Sequence, residues 1–429
     1  MTATAPAAVV PQKSVISWAL WDWAGSSFNS VVTTFVFTVY LTSTKAFGGT
    51  TFVSAQLGWV LAIAGILVAI LAPVTGQRSD ASGRRKFWLA VNTYLLVAIT
   101  AAMFFVEAKP DFLWLGLFLL AAGTIVFEFA SVNYNAMLTS VSTPATVGKV
   151  SAFGWSMGYF GGIVLLLIVY FGLISPAPAN DNGLSVRISM LIAALWLGVF
   201  ALPVLFFVPE YRAPAAVARE KVSFIGSYIR LGHDIARLWR TSRHTVYFLI
   251  ASAVFRDGLT GVFTFGGVLA AGTFGFSSGQ VIIFAIAANV TAGVSTVLVG
   301  RLDDRVGPKP VIVAALIGLV VSGLAVFLLH DAGQTAFWVF GLALCLFVGP
   351  AQSASRSFLA RVIPAGREGE VFGLYATTGK AATFLAPAAF AVFVTVGGAQ
   401  YWGILGLVLV LAVGLVVLLP VKSRQQQLD

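Results

Sequence analysis

Apolar runs of about twenty residues recur along the whole chain, and they leave few folds open. A helix needs ~20 apolar residues to cross the hydrocarbon core of a bilayer. Only helices and closed barrels satisfy their backbone groups there, and the short alternating segments that build a barrel are absent. Charged residues are 10% of the 429, against about 25% in an ordinary soluble domain. The sequence predicts an all-α membrane protein with twelve transmembrane helices. They fall near 17–43, 54–75, 87–107, 112–137, 150–174, 187–208, 245–271, 278–300, 309–330, 335–359, 371–395 and 400–420.

Orientation follows from where the cations lie. Of the 26 Lys and Arg, 21 fall in segments on the side of the N-terminus and three, Lys45, Lys109 and Arg187, on the other. The split predicts both termini in the cytoplasm; the membrane expected is a bacterial inner (plasma) membrane. It also accounts for the net charge of +10 as topology, not as a nucleic-acid footprint. The N-terminal stretch lacks a cationic region followed by a cleavable apolar one, so the first span reads as retained. The single cysteine, Cys345, has no partner for a disulfide or a thiolate metal site.

Between spans six and seven, residues 209–244 form the longest polar stretch. From Phe224 to Trp239 it has apolar residues at helical spacing with basic ones between, the pattern of an amphipathic surface helix. The chain therefore divides into 1–208, a basic linker at 209–244, and 245–429.

The two large segments repeat each other. Gly76-Gln-Arg-Ser-Asp80-Ala-Ser-Gly83-Arg84-Arg85-Lys86 follows span two, and Gly300-Arg-Leu-Asp-Asp304-Arg-Val-Gly307-Pro-Lys309 follows span eight, 224 positions later. Both read G-x-x-x-D-x-x-G and then basic residues. The glycines suit a tight turn, and each aspartate suits a helix start. With Arg84, Arg85, Lys309 and Arg356, such a cluster is expected to latch the two halves on the cytoplasmic side. A weaker pair, Phe153-Gly154 and Phe372-Gly373, also recurs. Parallel repeats place a solute site between the halves.

Five charges remain inside the apolar segments: Asp22, Glu128, Arg256, Asp257 and Lys380. A charge at membrane depth is costly and usually faces a protein interior or a watery cavity. Asp22 heads a stripe with Ser26, Asn29 and Thr33; Glu128 heads one with Ser131 and Asn135; Asp257 heads one with Thr260 and Thr264. Each stripe has the three- and four-residue spacing of one helical face. The plain alternative for each carboxylate is a structural ion pair, Asp257 with Lys380 for instance. No basic residue stands beside Glu128 in its own segment. Arg256 and Asp257 are adjacent and point about 100° apart on a helix, so they do not satisfy only each other.

The duplicated loop resembles the signature of the major facilitator superfamily. Three further stretches narrow the resemblance: Trp18-Ala-Leu-Trp21-Asp22-Trp23-Ala-Gly-Ser-Ser-Phe28, Phe153-Gly-Trp-Ser-Met-Gly158-Tyr-Phe-Gly-Gly162, and Ser355-Arg356 through Pro364 and Gly366-Arg367-Glu368 to Phe372-Gly-Leu-Tyr375 and Gly379-Lys380. Together they are similar to the vacuole-effluxer-like family, whose fungal members export amino acids from the vacuole. The chain departs from that pattern at Trp21, where the family carries Tyr, and at Gly25, where it carries Asn.

The resemblance implies two pseudo-symmetric six-helix bundles and a shared cavity on which the three stripes converge. Asp22, Glu128 and Asp257 are then the candidate coupling carboxylates. Arg256, Lys380, Ser26, Asn29, Asn135, Thr260 and Tyr375 are candidates to bind substrate, with Asp257 suited to hold an ammonium and Arg256 or Lys380 a carboxylate. The expected activity is secondary transport by alternating access of a small organic solute, an amino acid or other zwitterion in the export direction, with protons as the possible coupling ion. A lipid, amphiphile or drug exporter is the alternative within transport, and a receptor or channel outside it. The three histidines have no metal-ligand spacing, and neither G-x-S-x-G nor a P-loop occurs. No enzyme, metal or cofactor is therefore expected, and the protein is expected to be a monomer. Gly154, Gly158 and Gly162 form a small-residue ridge for close packing. Gly349-Pro350 is expected to bend or break span ten, and Trp18, Trp21 and Trp23 form a possible aromatic cage.

Overall fold

The structure, a computed structural model, describes residues 11–143, 146–178, 181–210, 223–362 and 368–422. Within these it leaves out the side chains of 80, 81, 139, 147–149, 152, 300–302, 304, 360, 368–370 and 372. Helices occupy every predicted span. The first crossing is α1 (Gln12–Ser26), a π-helix (Ser27–Phe35) and α2 (Phe37–Ser43). Then come α3 (Thr50–Ser82), α4 (Arg85–Ala102), α5 (Leu113–Ala136), α6 (Val147–Val169), and the pair α7 (Leu184–Phe200) and α8 (Leu202–Phe207). The second set is α10 (Arg243–Gly272), α11 (Ser278–Val306), α12 (Pro308–Leu328), α13 (Gln334–Val362), the pair α14 (Glu368–Ala381) and α15 (Leu385–Gly397), and α16 (Trp402–Leu418). Among the described residues, ten helical stretches are long and apolar enough to cross a membrane, and α16 is a shorter apolar helix. The chain is a multi-pass, all-helical membrane protein.

The linker holds α9 (Phe224–Thr241), over the stretch whose spacing predicts it. Ser223 caps its start, the side-chain oxygen accepting from the Gly226 amide at 2.9 Å. Ile225 and Ile229 stand exposed, whereas Tyr228 Oη donates to the Ile70 carbonyl at 2.6 Å. That bond ties the linker to α3 of the first set. Residues 211–222 of the linker lie outside the described residues.

The duplicated motif is a helix terminus. Gly83 follows α3 with φ +62°, and Gly307 follows α11 with φ +84°. L side chains rarely adopt this conformation, so glycine at the motif's end lets the chain turn at once into α4 and α12. Asp80, Gly300 and Asp304 lie on the last turns of those helices, but their side chains are outside the described residues.

Two interruptions, in the first and eleventh crossings, bear on the site, and one crossing stays unbroken where a bend or break is expected. In the first, the Val36 amide reaches the Val31 carbonyl, five residues back, at 3.1 Å, and widens the turn. In the eleventh, the helix opens into a turn at 382–384. Pro387 then sits in the first turn of α15, where its missing N–H costs little and where it would otherwise crowd the carbonyl four residues back. By contrast α13 continues through Gly349-Pro350 unbroken.

Candidate functional site

The first span does not turn its charged stripe toward one cavity. The Asp22 carboxylate accepts from Tyr134 Oη at 2.7 Å. Tyr134 is sandwiched between Trp18 and Trp21, with ring centroids 4.5 and 4.3 Å away. A Cβ on Gly154 would stand 2.9 Å from Asp22 Oδ2, one on Gly161 2.7 Å from the Trp23 carbonyl, and one on Gly162 2.6 Å from Ser30 Oγ. Glycines of α6 thus let α1 approach backbone to backbone, as the small-residue ridge predicts, with Gly161 added. Asp22 and Ser26 lie in that seam, and Ser26 Oγ is spent on the Trp23 carbonyl at 2.6 Å. Asn29, by contrast, is exposed, and Thr33 donates to its carbonyl at 2.8 Å. Trp18 and Trp21 are 2% exposed and bond Tyr134 O and Thr93 Oγ1, so they are core and not a cage.

In α10 the adjacent charges part. Asp257 is 6% exposed, and its Oδ2 accepts from the Ala386 amide at 2.6 Å. Its charge is spent on the N-terminus of α15, where unpaired amides and the helix dipole favour an anion. The ion pair of Asp257 with Lys380 that the sequence allowed is not formed, since Lys380 meets Glu128. Arg256 turns to α14 instead. Its Nη1 donates to the Tyr375 carbonyl at 3.2 Å, and the guanidinium lies 4.0 Å from the centroid of the Tyr375 ring. Tyr375 is steadied by Ser355, hydroxyl to hydroxyl at 2.8 Å. A Cβ on Gly379 would come within 3.0 Å of Arg256 Nη1, so the glycine leaves the guanidinium its room. Thr260, one turn on, is exposed and donates to the Arg256 carbonyl.

Glu128 of α5 and Lys380 of α14 form an ion pair between residues 252 positions apart. The pair joins the first six crossings to the last six at membrane depth. It also identifies the facing sides of both helices. Ser131 and Asn135 share the Glu128 side of α5 by their spacing, and Asn135 Nδ2 bonds Ser131 Oγ at 3.1 Å. Thr377 shares the Lys380 side of α14. A second contact between the sets is cationic, with the Arg356 guanidinium 4.5 Å from the Trp155 ring centroid. It lies within electrostatic reach of Asp22 and Arg256. The first set therefore brings carboxylates to the seam, Asp22 and Glu128, and the second brings Arg256, Arg356 and Lys380.

The two ends of the seam are built differently. Away from the chain termini the sets interlock through backbone. A Cβ on Gly65 would fall 2.9 Å from Phe384 Cα, one on Gly58 2.9 Å from Ala391 Cβ, and one on Gly267 2.6 Å from the Thr34 carbonyl. Gln400 Nε2 donates to Ser54 Oγ at 2.8 Å. At the end carrying the termini, the described contacts of the motif cations stay within their own set. Arg85 Nη1 reaches the Ala136 carbonyl at 2.9 Å, Lys86 Nζ the Val208 carbonyl at 2.9 Å, and Lys309 Nζ the Leu419 carbonyl at 2.7 Å. Arg84 is exposed. Gly76 packs on Val132. Of the residues expected to form the latch, Arg356 has a described contact across the two sets.

Sequence reasoning missed the interlocking glycines, although Gly58 and Gly65 are seven apart and so share a helix face. It also missed the Glu128–Lys380 pairing, for which one sequence carries no signal.

The model of the family described as vacuole effluxer Atg22 like matches residues 41–429. The chain belongs to that family. It is 28% identical over 427 residues to the uncharacterized MFS-type transporter YxiO of Bacillus subtilis, covering 96% of this chain and 97% of that one. It is 27% identical over 290 residues to autophagy-related protein 22 of Cryptococcus neoformans, an alignment that takes in 64% of this chain and 50% of the fungal one. Among solved structures, a D-xylose-proton symporter superposes with TM-score 0.68 at 15% identity, over 96% of this chain and 98% of that one. A bacterial homologue of ferroportin in its inward-facing state superposes with TM-score 0.64 at 14% identity, over 96% and 98%. The effluxer-family chain thus has the major facilitator fold and is a transporter of that type.

Proposed function

We propose that the two six-helix sets rock about the seam between them and carry a small organic solute by alternating access, with Glu128–Lys380 as the charge lock. The carrying observation is that ion pair, placed between the sets at membrane depth beside exposed polar side chains. Bilayer-depth charges are rarely kept without a pathway to serve. In this reading the present state is closed by the Gly58, Gly65 and Gln400 contacts and open toward the termini, on the side that the cation distribution supports as cytoplasmic.

A proton on Glu128, or a substrate carboxylate arriving at Lys380, neutralises one side of the lock and frees the sets to move. Export is the direction that the family's description as effluxers supports, with amino acids as the first solutes to try. Asp22 acts through Arg356 and Tyr134 at the seam between α1 and α6 rather than by touching solute.

The test uses purified protein in liposomes and mass-spectrometric flux of mixed amino acids and carboxylates. A disulfide between Ser54→Cys and Gln400→Cys should stop flux, and reduction should restore it. An imposed pH gradient should drive flux in the wild type and not in Glu128→Gln. Flux continuing through the crosslinked protein rules out alternating access. Full pH coupling in Glu128→Gln removes the proton part.

A further inference from the structure

The charges of the seam are equal in number but not matched one to one, and the mismatch bears on what it carries. Among the described residues its carboxylates are engaged: Glu128 by Lys380, Asp22 by the Tyr134 hydroxyl, and Asp257 by the Ala386 amide. Only Glu128 is paired with a cation at salt-bridge distance, and Arg256 has no carboxylate partner among the described residues. One guanidinium N–H goes to the Tyr375 carbonyl, and the plane rests on the Tyr375 ring. A guanidinium has five N–H donors in a fixed fork, so most remain unused. Stacking on an aromatic face leaves the edge of the fork free, and that edge matches a carboxylate in two-point fashion.

Three features keep this group ready. Ser355 fixes the hydroxyl of the Tyr375 shelf. Gly379 leaves room where a Cβ would crowd Nη1. Arg356, held on Trp155, adds a second positive charge within reach. Two cations within electrostatic reach of each other repel, and an anion bound by either relieves that repulsion.

The geometry points to Arg256, on its Tyr375 shelf, as the binding group for an organic monoanion whose carboxylate needs no accompanying ammonium. This rests on the reading of the seam as the solute path. It replaces the zwitterion expected from the sequence with a simple carboxylate, because the residue meant for the ammonium, Asp257, caps α15. The forked donor set selects the carboxylate.

The experiment is thermal stability of the full chain in detergent with matched probes: 4-methylpentanoate, leucine and leucinamide, and 3-phenylpropionate, phenylalanine and phenylalaninamide. At least one simple acid should raise the melting temperature at millimolar concentration, its amino acid should do no better, and its amide should do nothing. Arg256→Gln should weaken the apparent affinity roughly ten- to a hundredfold, the size expected for losing a charge-assisted pair. Arg256→Lys should retain part of it, since charge survives and the fork does not. Should Arg256→Gln fail to fold, Gly379→Ala keeps every charge, crowds only the guanidinium, and should also weaken binding.

The proposal falls if amides stabilise as well as acids, if amino acids bind and the simple acids do not, if no acid binds, or if Arg256→Gln binds unchanged. An acid shift with flux that ignores the crosslink between Ser54→Cys and Gln400→Cys would instead keep the anion site and remove alternating access.

Discussion

Asp22 and Asp257 hold matching places in the first helices of the two sets, and the fold gives them unlike surroundings. Asp22 lies in a seam of glycines between α1 and α6 and takes one neutral hydroxyl. Asp257 lies beneath a broken helix and takes backbone amide. The difference comes from their neighbours, not from their own helices. In the first set the fifth crossing, α6, is unbroken over its glycines, so α1 packs closely against it there. In the second the eleventh crossing breaks at 382–384, and the fresh N-terminus of α15 needs an anion. Sequence symmetry thus fixes position along a helix, while the partner helix decides what a carboxylate does there.

Substitutions at four places test this contrast between the sets. The largest effect belongs to the bond that joins them. Lys380→Ala leaves Glu128 facing a poorly hydrated seam alone. It should cost on the order of 2–3 kcal/mol, below the ~3–5 of a fully buried pair because both side chains keep some exposure. Melting of the purified protein reads it, and Glu128→Gln with Lys380→Gln should recover most of the loss. A double variant as unstable as Lys380→Ala would mean that the pair is not the source of the cost.

Next comes the aspartate comparison itself. Asp257→Ala orphans a buried amide and should cost about 1–3 kcal/mol, whereas Asp22→Ala gives up one neutral hydroxyl bond, worth about 1 kcal/mol. Asp257→Asn, which keeps an acceptor, should fall between wild type and Asp257→Ala. If Asp22→Ala proves the more damaging, the contrast drawn here is reversed.

Gly65→Ala probes the interlocked end. Its Cβ meets the Phe384 backbone, which cannot swing aside, and overpacking of this kind costs ~1–3 kcal/mol. Because the clash exists only while that end is closed, the substitution should shift the population away from the closed arrangement. The yield of the disulfide between Ser54→Cys and Gln400→Cys should fall accordingly. An unchanged yield would place the closure elsewhere.

Trp155→Ala should have the smallest effect, about 0.5–1 kcal/mol for an exposed cation–π contact. A much larger loss would make the Arg356 end of the seam as strong as the interlocked one.

Much of the architecture was legible beforehand because it is local. Apolar run length marked all twelve crossings, spacing marked the surface helix from Phe224, and the glycines of α6 announced a close-packed ridge. The candidate site was legible only as a set of charged positions. The stripe through Asp22, Ser26, Asn29 and Thr33 assumed 3.6 residues per turn, and the π-helix from Ser27 breaks that register. Pro387 was a readable sign of the interrupted eleventh crossing, yet Gly349-Pro350 looked the stronger breaker and α13 continues past it without a break.

What the sequence determined by itself was the class of the molecule: helices of bilayer length, a repeat 224 positions apart, and charges too costly to leave facing lipid. Those follow from solvation and from helix geometry, which act within one segment. Only the tertiary structure decided which charge meets which. Glu128 found Lys380, Asp257 found the amide of Ala386, and Arg256 was left on Tyr375 with donors to spare. Such pairings depend on distances between helices far apart in the chain, and no spacing within a single helix encodes them.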